Sequence, residues 1–191
     1  MNVCLYGASS TEIARDYIDV TEELGELLAR EGHGLVYGAG GAGLMGAAAR
    51  GVKRGGGYVV GVVPSFLKVD GILFDECDEM IFTDTMRERK QIMEERADAF
   101  IVTPGGIGTY EEFFEIYTLK QLGQLNKPIV IFNINGYFDA MLTMLRRTVD
   151  ERFMRETSLR LVEVGDTPRA VLECLAKATV DSVDIRATKF V

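Results

Sequence analysis

Apolar runs rich in β-branched residues alternate with amphipathic stretches along almost the whole chain. Several runs contain no polar alternation, which is typical of parallel strands covered on both faces. The strands predicted in this way are Val3–Tyr6, Gly34–Tyr37, Tyr58–Val63, Glu79–Phe82, Ala99–Val102, Ile129–Phe132 and Leu161–Val164. The helices predicted between them lie near Glu12–Glu31, Leu44–Arg54, Arg87–Ala97, Tyr110–Leu122, Tyr137–Glu151 and Pro168–Ala178. This alternation predicts an α/β fold in a single domain over residues 1–191, with a doubly wound, mainly parallel sheet and helices on both faces.

Four glycine-rich or polar segments follow predicted strands. They are Gly7–Ser10 after the first strand, Gly38–Gly43 after the second, Thr83–Thr85 after the fourth and Pro104–Thr109 after the fifth. In doubly wound sheets, ligands bind beyond the carboxyl ends of the strands. We therefore expect a single ligand site at this edge of the sheet.

The segment Pro104–Glu112 reads PGGIGTYEE and carries the strongest indication of chemistry. Its glycines, Gly105, Gly106 and Gly108, allow the backbone to turn tightly and to approach a ligand without a Cβ in the way. The helix that follows adds unpaired N–H groups and the positive end of its dipole. Together these features predict an anion site, most often for a phosphate. A carboxylate one turn inside the same helix would lie beside the anion, which favours an enzyme over a passive binder.

The net charge of −8 and the pI near 4.8 change what such an anion site requires. The overall field repels anions, so nucleic acid and anionic membranes are not expected as partners, and a bound anion must be held by local features. No stretch approaches the roughly 20 apolar residues of a membrane span. The first residues enter a strand directly, without a basic and apolar leader, so a cytoplasmic location is expected.

Histidine and cysteine are too sparse for several common chemistries. His33 is the only histidine and lies in a predicted helix-to-strand turn, while Cys4, Cys77 and Cys174 have no CxxC spacing. Neither a disulfide framework nor a metal site is indicated, and no cofactor is expected. Any acid–base chemistry therefore falls to carboxylates, aided by water, lysine or tyrosine.

Gly38, Gly40 and Gly43 fit the spacing GxGxxG between the second strand and a helix. The match is weak for NAD binding, because it does not follow the first strand and no acidic residue ends a following strand about 20 residues on. One interpretation is glycine-permitted packing of a strand-to-helix turn. We favour the other, a nucleotide-contacting loop that does not bind NAD.

Helical geometry separates the charges of the segment Met86–Lys90. A charge run is usually a solvated face, but Arg89 and Lys90 fall toward the apolar side of this helix, whereas Arg87 falls opposite. A buried guanidinium needs an anionic partner, because an unpaired buried charge is very costly. Either a ligand phosphate or a neighbouring carboxylate would supply that partner.

The same geometry distinguishes two adjacent glutamates. Glu112 lies near the apolar arc of Phe113 and Ile116, whereas Glu111 shares the polar side with Glu115. Glu111 is typical of a carboxylate placed at a helix start because the dipole favours it. Glu112 is therefore the better candidate for a residue inside the site.

These motifs resemble the Lonely Guy family of cytokinin riboside 5′-monophosphate phosphoribohydrolases, many of which were long labelled lysine decarboxylases. The signature PGGxGTxxE is present from Pro104 to Glu112, MxERK from Met86 to Lys90, and GLMG from Gly43 to Gly46. The resemblance implies a Rossmann-like fold and a homodimer or larger assembly of dimers. It also implies hydrolysis of the N-glycosidic bond of (N6-prenyl)adenosine 5′-monophosphate or AMP-like nucleotides, giving a free base and ribose 5-phosphate.

The resemblance further implies roles for individual positions. Arg89 and Glu112 match the catalytic pair of the family. The residues expected to bind substrate are Ser9, Gly43, Met86, Lys90, Gly105, Gly106, Gly108 and Thr109. The chain departs from the family at Arg87, usually histidine, at Ala39, often glycine, and in Tyr6–Ser10, where the family reads Cys-Gly-Ser-Ser. The changes at Ala39 and in Tyr6–Ser10 bear on substrate preference.

Two other functions fit parts of the chain. A lysine decarboxylase would carry pyridoxal phosphate on a lysine, but such enzymes are normally much larger and no lysine here has a convincing Schiff-base setting. A non-catalytic carrier of nucleotides or phosphometabolites with the same fold is the stronger alternative, since related proteins share similar PGGxGT loops. The presence of Arg89 and Glu112 argues against a carrier, which needs neither residue.

Overall fold

The computed structural model of the protein describes residues 1–69, 71–177 and 188, and within them all seven predicted strands are present. The strands are β1 (Asn2–Tyr6), β2 (Gly34–Tyr37), β3 (Val59–Pro64), β4 (Glu79–Thr83), β5 (Ala99–Val102), β6 (Ile129–Phe132) and β7 (Glu163–Gly165). They form one sheet in the order β4-β3-β2-β1-β5-β6-β7, and every neighbouring pair is parallel. The predicted α/β fold with a parallel sheet is confirmed.

Six α-helices connect the strands. They are α1 (Arg15–Arg30), α2 (Gly43–Arg54), α3 (Met86–Arg96), α4 (Ile107–Gln121), α5 (Asp139–Asp150) and α6 (Pro168–Lys177). The predicted end of the last helix, Ala178, lies outside the described residues. Helix α5 begins two residues later than predicted, at Asp139, and follows a turn in which Asn135 and Gly136 have positive φ.

Helix α4 begins three residues earlier than predicted, at Ile107 rather than Tyr110. Gly108 and Thr109 favour a helix only weakly, so their sequence is more typical of a loop. The free N–H groups at the helix start belong to Gly106, its N-cap, and to the three residues that follow, because the first four N–H groups of a helix have no partner within it. Half of the predicted glycine-rich loop is thus the first turn of α4.

The sheet separates two apolar layers. One layer packs residues of α1, α2 and α6 against the sheet, with Leu24, Val52 and Val171 as examples. The other packs residues of α3, α4 and α5, with Met93 and Phe113 among them. Consecutive residues of the central strands are buried in opposite layers, which explains the apolar runs without alternation.

The connections place a crevice beside β1. The chain adds strands on one side of β1 to make β2, β3 and β4, and then crosses to the other side for β5, β6 and β7. The strand order therefore reverses between β1 and β5, and doubly wound sheets bind ligands at the carboxyl ends of such a pair. Among the described residues, no helix is both long enough and apolar enough to cross a bilayer.

Candidate functional site

Three loops are tied together at the crevice between β1 and β5. The N–H of Ala8 donates to the carbonyl of Pro104 at 3.0 Å, and the N–H of Leu44 donates to the carbonyl of Ala8 at 2.8 Å. Gly43 has φ +59° and lies so close to the backbone of Ala8 that an added Cβ would overlap its carbonyl oxygen. Backbone geometry thus requires glycine at position 43, since only glycine fits both the φ and the space. The substrate contact expected of Gly43 stays a prediction.

The glycines of the phosphate-loop motif, Pro104–Thr109, differ in what surrounds them. At Gly105 a Cβ would overlap the hydroxyl of Thr109, so this glycine is required by the fold itself. At Gly106, which caps α4, and at Gly108, in its first turn, a Cβ would meet no protein atom within 4 Å. The space next to the free N–H groups of α4 is therefore open, as an anion site at a helix start requires.

Arg89 and Glu112 form a buried ion pair on the same side of the sheet. Nη1 of Arg89 lies 2.8 Å from Oε1 of Glu112, and each residue is only 8% exposed. Nε of Arg89 also donates to the carbonyl of Val62 at 3.2 Å. The predicted orientations are confirmed, because Arg87 and Glu111, on the opposite faces of their helices, are exposed. The anionic partner predicted for Arg89 is the neighbouring carboxylate.

Two features of the site act in opposite directions on the charge of Glu112: burial disfavours the ionised form and Arg89 favours it. Burial raises the pKa of Glu112, because the charged form loses its hydration, while the positive charge and the hydrogen bond of Arg89 act against that rise. The carboxylate is therefore a stronger base than an exposed glutamate, with a cation in contact. Such a group can stabilise developing positive charge and can orient or deprotonate a water.

Lys90, expected to contact substrate, points inward as predicted but toward α4. Its Nζ forms ion pairs with Glu115, at 2.8 Å, and with Glu111. Burial acts to lower the pKa of Lys90, but its hydrogen bonds to the two glutamates outweigh that effect, and the pKa is raised. The charge of Lys90 is thus already balanced, and the residue links α3 to α4 beside the Arg89–Glu112 pair.

Two cavities border the tied loops. The first, of about 470 Å³, is lined by Arg89 and Ser9 together with Gly38, Gly40, Ala42, Met45, Val63, Leu67, Gly71, Ile72 and Leu73. We call it the Arg89 cavity. The second, of about 360 Å³, is lined by Gly105 and Gly106 and is mostly apolar, with Ile13, Tyr17 and Tyr137 in its wall. Only the Arg89 cavity combines a charged group with apolar walls.

The linings of these cavities contain only some of the predicted site residues. Among the described residues, neither lining includes Glu112, Gly108 or Met86. Met86 is 40% exposed at the start of α3. Its predicted contact with substrate therefore rests on the resemblance alone. The described residues contain no group of three or more histidine, cysteine, aspartate or glutamate side chains that could hold a metal ion.

Two contacts at the site were not predicted from the sequence. At Gly38 a Cβ would overlap Nη2 of Arg89, so this glycine makes room for the buried guanidinium. The GxGxxG spacing predicted that this loop contacts a nucleotide, but it gave no indication that Gly38 lies against the side chain of Arg89. Tyr137 donates a hydrogen bond from its hydroxyl to the carbonyl of Gly105 at 2.6 Å. No local pattern indicates that contact, because 32 residues separate the two partners.

A sequence model of the family described as "possible lysine decarboxylase" matches residues 45–175. The chain belongs to this family, Lonely Guy. A cytokinin riboside 5′-monophosphate phosphoribohydrolase of Mycobacterium tuberculosis is 40% identical over 173 residues, which are 90% of this chain and 92% of that protein. One from Arabidopsis thaliana is 36% identical, over 91% of this chain and 81% of that protein. The Lonely Guy resemblance is confirmed.

Solved structures share the fold of this Lonely Guy chain. The molybdenum cofactor carrier protein of Chlamydomonas reinhardtii superposes with a TM-score of 0.68, covering 92% of this chain and 98% of that one, at 23% identity. The molybdenum cofactor binding protein of Rippkaea orientalis gives 0.67, with 92% and 93% covered, also at 23% identity. At that identity the likeness concerns the fold alone, and it supports the Rossmann-like assignment.

Proposed function

We propose that this protein hydrolyses the N-glycosidic bond of adenosine 5′-monophosphates, with or without an N6-prenyl group, to a free base and ribose 5-phosphate. The observation that carries the proposal is the buried Arg89–Glu112 pair beside the open first turn of α4. Family membership and the names of the relatives agree with it. A carrier would have no need to bury an ion pair at the ligand site.

In this proposal the 5′-phosphate occupies the space next to Gly106 and Gly108. The free N–H groups of α4 would donate to its oxygens, and the helix dipole would favour its negative charge. We expect hydroxyl contacts to the phosphate from Thr109, in the first turn of α4, and from Ser9, in the loop after β1. Binding energy at this remote group would hold the anomeric carbon against Glu112, as orientation catalysis requires.

The chemical step breaks the bond between C1′ and the base nitrogen. Departure of the base leaves oxocarbenium-like positive charge on the ribose ring, which an ionised Glu112 stabilises. Glu112 also orients a water for attack at C1′. That water supplies the new hydroxyl of ribose 5-phosphate and the proton of the free base. Arg89 holds Glu112 in place and offsets the rise in its pKa caused by burial.

The Arg89 cavity suits the base and its substituent. Met45, Leu67 and Ile72 give this cavity apolar walls. An N6-prenyl group would bury apolar surface there, and each Å² removed from water would favour binding by about 25 cal/mol. Two aromatic residues of the neighbouring segments do not line this cavity, since Phe74 is buried in the core and Phe66 is exposed. We therefore propose N6-prenyl adenosine monophosphate as a better substrate than AMP, which would make this protein a cytokinin-producing enzyme.

Pyridoxal phosphate chemistry is not part of this proposal, despite the description of the family. A Schiff-base lysine acts through its neutral amine, and its pKa is normally lowered for that purpose. Lys90, the lysine next to Arg89, has a raised pKa because of its two glutamate partners. An absorbance scan of the purified protein without an aldimine band would agree with this, and such a band would contradict it.

The proposal is tested by incubating the purified protein with a panel of nucleoside monophosphates and separating the products. We expect base and ribose 5-phosphate in equal amounts, with faster release from the N6-prenyl nucleotide than from AMP. Adenosine, which lacks the phosphate, should be a far poorer substrate. Tight binding of the nucleotides with no release of base would support the carrier function instead.

We also propose that the protein forms a homodimer in the cytoplasm. Its three cysteines are free, which suits a reducing compartment. Phe66, Ile72 and Phe82 are 62%, 46% and 44% exposed on the segment after β3 and on β4, and exposed apolar patches commonly mark interfaces. Light scattering should give twice the chain mass of 21.1 kDa, and Phe66→Asp should weaken the association. A wild-type monomer at micromolar concentration would contradict the dimer.

A further inference from the structure

The loop between β5 and α4 is held by hydrogen bonds from both sides. On one side the N–H of Ala8 donates to the carbonyl of Pro104 at 3.0 Å. On the other, the hydroxyl of Tyr137 donates to the next carbonyl, that of Gly105, at 2.6 Å. The second bond comes from the chain after β6, so a distant element fixes one peptide group of the proposed phosphate site.

The planarity of the peptide group gives this bond a directional consequence. In a trans peptide the carbonyl of one residue and the N–H of the next point in opposite directions. Since the carbonyl of Gly105 points to the hydroxyl of Tyr137, the N–H of Gly106 points away from it. A Cβ on Gly106 would meet no protein atom within 4 Å, so this N–H belongs to a residue that borders open space.

Tyr137 is itself held in a defined orientation. Its ring makes edge contacts with the rings of Tyr17, at 6.3 Å between centroids, and Phe138, at 5.1 Å. The turn before it has positive φ at Asn135 and Gly136. These contacts would remain if only the hydroxyl were removed, because they involve the ring and the backbone.

Tyr137 also couples the loop to the helix that follows. Burial raises the pKa of Tyr110, in the first turns of α4, and the neighbouring Tyr137 raises it further. Tyr137 thus influences Tyr110 and also holds the carbonyl of Gly105.

We propose that Tyr137 is a positioning residue for the phosphate site, acting through the Gly105–Gly106 peptide to aim the N–H of Gly106 at the 5′-phosphate. The inference rests on the proposed function and assigns a task to a residue outside its catalytic pair. It predicts that loss of the hydroxyl weakens ligands that carry a 5′-phosphate and spares ligands that do not. One net hydrogen bond corresponds to about a 5-fold change in affinity.

The test is calorimetric titration with AMP and with adenosine, in a Glu112→Gln background so that AMP is not consumed. Tyr137→Phe should weaken AMP binding about 5-fold and leave adenosine binding unchanged. Tyr17→Phe is the matched control, because it removes a hydroxyl from the ring packed against Tyr137, and it should change neither affinity.

Two results would overturn the inference: an unchanged AMP affinity in Tyr137→Phe, or an equal loss for AMP and adenosine. Equal losses would mean general damage to the site, which a thermal melt of each variant would also report. Because the titration measures binding, it does not depend on turnover. If the wild-type protein released no base while the AMP-specific loss was observed, the proposed function would fail and the role of Tyr137 would stand.

Discussion

Adjacent residues of the same charge have opposite environments in this protein. Arg89 is buried against Glu112, while Arg87, two positions earlier on α3, is exposed. Helical geometry predicted this difference from the apolar positions of the helix alone, since two residues separate side chains by about 200°. The departure from the family at position 87, arginine for histidine, therefore lies on the outer face of α3.

Removing the inner arginine should cost far more activity than removing the outer one. Arg89→Ala should lower kcat by about 100-fold or more, the usual effect of losing a preorganised electrostatic partner. Arg87→Ala should stay within about 2-fold of wild type. Steady-state rates of base release with circular dichroism as a folding control would measure both. A larger loss in Arg87→Ala would show that the assignment of helix faces to function is wrong.

The pH dependence of activity should report the environment of Glu112. Burial raises its pKa above the ordinary 4.5 and Arg89 opposes that rise, so activity is present above the raised pKa and lost as the pH falls through it. In Arg89→Met the opposing cation is gone, and the acid limb of kcat/KM for the residual activity should move to higher pH. Titration of the substrate phosphate is common to both proteins. A limb that stays in place or moves down would contradict the role of Arg89.

Among the helices, α4 contains a glycine, Gly108, in its first turn, where most other residues would favour the helix more. Gly108 lies in the first turn of α4, and a Cβ there would meet no protein atom within 4 Å. Glycine is the poorest helix former apart from proline, so its presence costs stability without relieving any clash. We infer that the space is kept for the ligand.

Gly108→Ala should therefore stabilise the folded protein but weaken its use of AMP. The free energy of unfolding in urea should rise by up to about 1 kcal/mol, while KM for AMP should rise about 10-fold because the methyl group enters the phosphate space. Thr118→Ala, on an exposed position of the same helix, is the control and should leave KM unchanged. An unchanged KM in Gly108→Ala would place the phosphate elsewhere.

The contributions of Arg89 and Glu112 to the free energy of unfolding should depend on each other. Glu112→Leu leaves the Arg89 charge buried without a partner, which costs about 3–5 kcal/mol. The double variant Arg89→Met, Glu112→Leu should recover at least half of that loss, as measured by urea unfolding. Breaking the exposed pair Arg15–Asp19 by Arg15→Ala should leave the urea midpoint nearly unchanged. Additive losses in the double variant would contradict a direct interaction.

For the whole molecule, local patterns were enough to predict the fold. The strands β2, β5 and β6 begin and end at the predicted residues, because buried parallel strands leave an unbroken apolar run. The start of α4 was misplaced, since glycine signals a loop whether or not the chain is helical. Periodicity also placed Arg89 and Glu112 on inward faces, and the structure brings them into contact.

Contacts between distant segments could not be predicted in this way. Gly38 makes room for Arg89, which is 51 positions further on, and Tyr137 reaches Gly105 from beyond β6. Both contacts depend on the order of strands in the sheet, and no local pattern of residues encodes them. The net charge of −8 likewise says only that anion binding must be local. The start of α4 is the local feature that we propose for this role, because the charge of Arg89 is already paired with Glu112.

The most direct measurement of the central claim compares base release by Glu112→Gln and Glu111→Gln. The amide at position 112 keeps the size of the side chain but removes its charge, so turnover of AMP should fall by about 1000-fold with AMP affinity within about 3-fold of wild type. Glu111→Gln, one position away on the exposed face, should keep its activity. Wild-type turnover in Glu112→Gln would remove this carboxylate from the mechanism.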